Sequence, residues 1–138
     1  LLEWENDEKK RGANDKTQSG VLWLHRGILA ERLNRKRLAE RAYRNGIEKG
    51  FSLFGWSRLL MIYAETYNPK ACLVCMAEIL DQAEEDGVKV FSKFPGWIED
   101  VLHSLIASNG MTTIVRLVKE MELEDCRPLV QAIEAANQ

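Results

Sequence analysis

The sequence predicts an all-α protein built from paired antiparallel helices, about seven in all. Three observations carry that reading. From Val21 onward apolar residues recur three and four positions apart, and no segment alternates long enough to make a full strand. Turn formers interrupt this pattern at short intervals: Asn34-Arg35, Gly50, Asn68-Pro69, Asp86-Gly87, Asn109-Gly110. Trp23, Trp56 and Trp97 each stand near the opening of an expected helix, and the first two lie 33 residues apart (56 − 23). A step near 34 residues marks stacked helix–turn–helix units, none of which buries its apolar face alone.

The elements follow in order. Residues 5–19 carry mixed charge and turn formers without apolar periodicity, so 1–19 reads as a linker, with Leu1, Leu2 and Trp4 the end of a preceding helix. Val21, Leu22, Leu24, Ile28, Leu29 and Leu33 define the first helix, with Ser19 as its N-cap. Leu38, Ala39, Ala42, Tyr43, Gly46 and Ile47 define a second, ended by Gly50. So short a turn between them predicts an antiparallel hairpin over about 20–50. Ser52 or Gly55 starts a third helix through Trp56, Leu59, Leu60, Ile62 and Tyr63. Asn68-Pro69 stops it, and Pro69 suits the first turn of a fourth helix through Leu73, Met76, Ile79 and Leu80, completing a hairpin over 52–87. Residues 88–96 read as a loop whose aromatics pack on the helices. Trp97, Val101, Leu102, Leu105 and Ile106 give a fifth helix. Thr112 or Thr113 begins a sixth through Ile114, Leu117 and Val118, so a hairpin spans 96–122, and Pro128 opens a last helix over 127–138.

Composition bounds the function. With 138 residues, 46% hydrophobic and 29% charged, the chain fits one folded domain at 20–138. A net charge of −2 gives no bulk attraction to nucleic acid or an anionic membrane. No apolar run approaches the roughly 20 residues that span a bilayer, so no membrane partner is expected. Three cysteines leave one unpaired under any disulfide scheme, which points to a reducing, intracellular compartment. The start, Leu1-Leu2-Glu3-Trp4, reads as a cut from a longer protein.

The repeat resembles the tetratricopeptide family, whose first helix carries an aromatic, Leu and Gly and whose second carries Ala and an aromatic. Counted from Trp23, Gly27, Ala39 and Tyr43 match, and Ala30 replaces the first-helix aromatic. Counted from Trp56, Leu59 and Tyr63 match, Leu60 replaces Gly, and Cys72 and Met76 take the second-helix positions. The unit from Trp97 keeps the Trp and the pairing of helices but little else. Its Asn109-Gly110 turn and Val118-Lys119-Glu120-Met121 also look like a pentatricopeptide unit, the RNA-reading relative. The 41-residue step between Trp56 and Trp97 (97 − 56) departs from the family period. The resemblance spans about 20–137 and implies an α-solenoid whose first helices line a concave, peptide-gripping groove. Leu24, Ile28, Met61, Ile98 and Leu102 would face that groove. They are apolar, unlike the Lys/Asn set that clamps a terminal carboxylate, and suit an amphipathic helix or the flanking repeats of a parent protein.

Charge adds a second candidate surface. Residues 26–49 hold eight cations against Glu31, Glu40 and Glu48, a balance of +5 (8 − 3). Arg37, Arg41 and Arg44 fall on one helix face and suit an acidic peptide, a phosphate or an RNA backbone. Glu78, Asp81, Glu84, Glu85 and Asp86 gather the opposite sign. No catalytic constellation emerges. Cys72-Leu73-Val74-Cys75 lacks the further ligands zinc needs, His25 and His103 have no nucleophile at catalytic spacing, and Gly46–Gly50 is no phosphate loop. The expectation is therefore a non-catalytic scaffold or adaptor module, without cofactor or metal, that binds a peptide or helix of a partner protein. RNA binding through the basic hairpin is the alternative.

Overall fold

A computed structural model describes residues 19–85 and 96–137, and these are helical almost throughout. Helix α1 occupies 19–32. It is followed by α2 (Lys36–Glu48), α3 (Ser52–Glu65), α4 (Pro69–Glu85), α5 (Gly96–Asn109), α6 (Met111–Glu120) and α7 (Arg127–Ala136). Among the described residues there is no strand. Ser19 is already helical, so it does not cap α1 as expected. α6 starts at Met111, ahead of either threonine, and α7 at Arg127, with Pro128 in its first turn. The expected linker and most of the 88–96 loop lie outside the described residues; Gly96, assigned to that loop, instead begins α5.

The chain divides into two compact units, the first ending at Leu59 and the second starting at Leu60. In the first, α1 and α2 run antiparallel. Gly20 meets Phe51, Leu24 meets Gly46, and Gly27 meets Tyr43, so one index rises as the other falls. α2 buries Ala39, Ala42, Tyr43 and Gly46, a stripe at intervals of three and four that leaves its arginines on the other face. The start of α3 closes the unit: Gly55 packs on Ile47, and the Phe54 ring sits edge-on to Tyr43 at 6.5 Å. An Arg58–Glu31 ion pair joins α3 to α1.

In the second unit α4 packs against α6 and α7, and α5 against the same two helices. Leu73, Met76, Ile79, Ile98, Leu102, Ile114 and Leu129 are fully enclosed there. The chain direction changes by 110° between α5 and α6 at Gly110, whose φ of +90° is a conformation glycine adopts without strain. The pair therefore packs together but makes a corner, wider than the reversal of a hairpin. Among the described residues no single helix is long and apolar enough to cross a membrane; α5 and α6 reach that composition only jointly, across this corner.

One turn design recurs. After α1, α2, α3 and α6 the chain closes with the same two backbone bonds, one reaching back five residues and one three. They are Arg35 N to Ala30 O with Asn34 N to Glu31 O, Phe51 N to Gly46 O with Gly50 N to Ile47 O, Asn68 N to Tyr63 O with Tyr67 N to Ala64 O, and Leu123 N to Val118 O with Glu122 N to Lys119 O. This is the Schellman closure, which needs a left-handed residue at its hinge. Glycine fills it only at Gly50; Asn34, Tyr67 and Glu122 adopt φ of 58°, 56° and 56°. Asn34 and Tyr67 stand 33 residues apart (67 − 34), the same step as the first two tryptophans. Asn68 then caps α4 through its Oδ1, which accepts from Ala71 N at 3.2 Å.

The tight approach of α1 to α2 at Gly27 yields a stability test. A Cβ on Gly27 would stand 2.5 Å from Tyr43 Cε1 and 2.8 Å from two more ring carbons. The ring is wholly enclosed, with Phe54 against it, and has nowhere to move. Gly27→Ala gains about 1 kcal/mol of helix propensity, but overpacking at the upper end of about 1–3 kcal/mol outweighs it, for a net loss of about 1–2 kcal/mol and a melting temperature lower by roughly 3–8 °C. Gly96→Ala, where an added Cβ meets none of the described residues within 4 Å, is the control and loses no stability in the same thermal denaturation.

Candidate interaction surfaces

The residues expected to form a groove separate by burial. Leu24, Ile98 and Leu102 are buried and hold the two cores, so they are not offered to a partner. Ile28 is half-buried, and of the five only Met61 is exposed, at 41%. The correction has a simple cause. Helical spacing marks which residues share a face, and an apolar face is first used to pack neighbouring helices.

Met61 does belong to an open cleft, of about 550 Å³, between the end of α3, the start of α4 and α5. Its apolar lining is Met61, Ala64, Pro69, Val101 and Leu105, together with the ring of Tyr67. Ser104, Ser108 and Asn109 supply neutral polar groups, and among the described residues its charged lining is Glu65 and Asp100. Asn109 is turned back into its own helix, its Nδ2 donating to Leu105 O at 2.9 Å. Tyr67 is 85% exposed and sits at the left-handed hinge after α3. A large aromatic in that backbone region is unfavourable by about 1 kcal/mol. The ring stands at the edge of the cleft.

Sequence reasoning passed over Tyr67, Glu65 and Asp100. The signal for Tyr67 was present: a large aromatic wedged between a helix end and the Asn68-Pro69 stop has no core to enter.

Arg37, Arg41 and Arg44 are all exposed on α2, as their spacing predicts. They edge a shallow depression of about 500 Å³ that also contains Glu40, Asn45 and Glu48. Arg44 Nε lies 3.4 Å from Glu40 Oε1 on the same helix. Two carboxylates among three guanidiniums leave this surface only weakly positive, far below the balance of the whole 26–49 span. Of the acidic cluster, Glu78 and Asp81 are exposed on α4, while Asp86 falls outside the described residues.

A further apolar strip lies on α1. Leu22, Leu29 and Leu33 are 58%, 58% and 57% exposed, against an inward face of Leu24, Gly27 and Ala30. Beside them the Arg26 guanidinium lies over the Trp23 ring, 4.8 Å from its centroid.

The first unit also holds a buried polar contact that spacing did not reveal. Tyr43 Oη and Arg58 Nε are enclosed without a hydrogen-bond partner of good geometry, although Arg58 and Glu31 are near enough to act on the phenol. Burial is the largest influence and raises the Tyr43 pKa above its ordinary value. Cys72, Cys75 and Cys126 are reduced and buried. Burial pushes the Cys72 thiol up to about 11, so it stays protonated at neutral pH, where a nucleophile or metal ligand would have to be thiolate. His103 is exposed, its Nε2 3.8 Å from Glu99 Oε1 one turn away on α5.

With this geometry in hand, comparison of the chain with protein-family models, with curated proteins and with solved structures finds no match. The class the coordinates define is therefore an all-α protein of packed neighbouring helices, with a turn design that recurs at the tryptophan step.

The buried thiols and phenol give two linked expectations. A thiol-specific reagent at neutral pH leaves the native protein unlabelled and labels all three cysteines after denaturation. Cys72 and Tyr43 both ionise at higher pH when folded than when unfolded, so the unfolded chain loses those protons first as pH rises. For Cys72, stability is on its plateau below about pH 9 and falls as pH climbs towards about 11. Urea midpoints between about pH 8 and about pH 10.5 should therefore decline; a flat profile contradicts the burial of both groups.

Proposed function

We propose that the chain is a non-catalytic protein-interaction module, a tetratricopeptide-like stretch of helical hairpins that belongs to a scaffold or adaptor. It takes an apolar, basic segment of a partner into the cleft beside Tyr67. The observation that carries this reading is the combination in one place of an open apolar lining, an exposed aromatic on unfavourable backbone, and charge of a single sign. Apolar area supplies affinity, and Asp100 with Glu65 selects for lysine or arginine at the edge. The recurrence of the Schellman turn at the tryptophan step supports the repeat reading, because a repeated unit reuses its turn as well as its core.

The test is affinity capture from lysate, with and without nuclease, using the native protein and its Met61→Glu variant. Met61 is exposed, so the variant keeps the native circular dichroism spectrum. Proteins retained after nuclease by the native chain and reduced at least tenfold with Met61→Glu are the expected result. If the same set is retained by both, the cleft reading is wrong.

A second reading, RNA binding on α2, is favoured by the exposure of Arg37, Arg41 and Arg44 on one face. Its weight is reduced by Glu40 and Glu48 in the same surface. It requires affinity for single-stranded RNA that falls steeply with salt, with a shallower slope in Arg37→Glu/Arg41→Glu. Undetectable or salt-insensitive binding eliminates it.

A further inference from the structure

Among the apolar surfaces that stay open to solvent on the described residues, two carry opposite flanking charges. On α1, successive residues turn by about 100°, which brings Leu22, Arg26, Leu29 and Leu33 into one narrow strip along the helix. The helical bond from Leu33 N to Leu29 O carries the strip past the last full turn. One exposed leucine is ordinary on any protein; three more than half exposed in a single line are not. The charge along the strip is positive. Arg26 is steadied by Trp23, Arg32 flanks the far end, and the one carboxylate of α1, Glu31, points away to its pair with Arg58. The second surface is the cleft of α3, α4 and α5, apolar at Met61, Val101 and Leu105 and acidic at Glu65 and Asp100.

We propose that these two surfaces are complementary halves of one interface between two copies of the chain. The α1 strip of one molecule seats Leu29 and Leu33 in the cleft of the next, and its arginines lie against Asp100 and Glu65. The proposal deepens the interaction reading above, on which it rests, by naming a second copy as the partner. Strip and cleft are unlike patches, so a pair joined by one such contact is head-to-tail. The pair as a whole keeps one unused strip and one unused cleft, so further copies can add. A single helical strip buries less than the roughly 1,200 Å² of a standard interface, so the association is weak, with a Kd on the order of 10–100 µM.

Sedimentation velocity over about 5–500 µM tests it. The native chain should shift from monomer to dimer and larger species as concentration rises, and less so at high salt. Leu29→Glu removes the strip and Met61→Glu removes the cleft; both sites are exposed, so both variants fold, as circular dichroism would verify. Each variant alone should remain monomeric. Mixed in equal amounts they should form a dimer that grows no further, because one retains the only intact cleft and the other the only intact strip. A native chain that stays monomeric at the highest concentration overturns the proposal. So does loss of association in Leu29→Glu alone with no dimer in the mixture, the signature of strips pairing symmetrically. Monomeric behaviour with a nuclease-resistant, Met61-dependent partner still captured would overturn self-pairing and leave the interaction reading intact, so the two failures are distinguishable.

Discussion

The first unit is organised around the enclosed ring of Tyr43, which α1, α2 and α3 share. Gly27 lets α1 come close enough to lie against one side of the ring, and Phe54 from α3 meets it edge-on. The contact fixes the separation of α1 from α2 and the roll of both helices, because a planar ring admits few positions between close-packed backbones. The remaining geometry follows from it. With α2 held at Tyr43, Ala39, Ala42 and Gly46 must face inward, and Arg37, Arg41 and Arg44 must face water. The inward face of α1 is set in the same way, which leaves Leu22, Leu29 and Leu33 more than half exposed. A phenol so enclosed carries a hydroxyl that lacks a well-aligned partner, a cost the unit bears for the packing.

What the sequence made legible was periodicity and punctuation. The seven helices follow from apolar spacing and from Gly, Asn and Pro at the breaks, and Gly27 of α1 meets Tyr43 of α2, a small residue against an aromatic. The exposed α2 arginines were likewise readable, because an amphipathic helix with a clear small-residue stripe has only one face for its cations. α1 was not readable in this way. It is apolar on two sides, and spacing alone does not say that Leu24 packs inward while Leu22 and Leu29 face out. Ser19 misled for a local reason: a residue type suited to capping can equally stand inside a helix, as it does here. The corner at Gly110 was visible as a stop, but a glycine tells where the chain turns and not through what angle.

The candidate site illustrates the same limit. Met61 was identified from its position on a first helix, and its exposure agrees with a role at the surface. Ile98 and Leu102 were chosen by the same logic and prove to be core, since α5 turns that stripe towards its neighbours. The surface α5 does offer to the cleft is Asp100, Val101, Ser104 and Ser108, a strip at intervals of three and four with one charge and two hydroxyls. Such a strip looks like a solvated helix face until the partner surface from α3 is placed beside it. Sites assembled from two ordinary faces leave no compact motif, in contrast to a metal or phosphate site whose ligands must be close in sequence or unusual in type.

The left-handed hinges have a bearing on how this chain could change over time. Asn34 tolerates that backbone region, but Tyr67 and Glu122 occupy it at a disadvantage that glycine would remove. The protein therefore carries unused thermodynamic headroom at two defined positions. At Glu122, exposed and not among the lining residues of the cleft, the headroom is open to drift or to an engineer. At Tyr67 the same relief would strip the aromatic from the rim. A lineage that keeps a bulky ring there, generation after generation, would be recording a selective preference for the surface over the backbone.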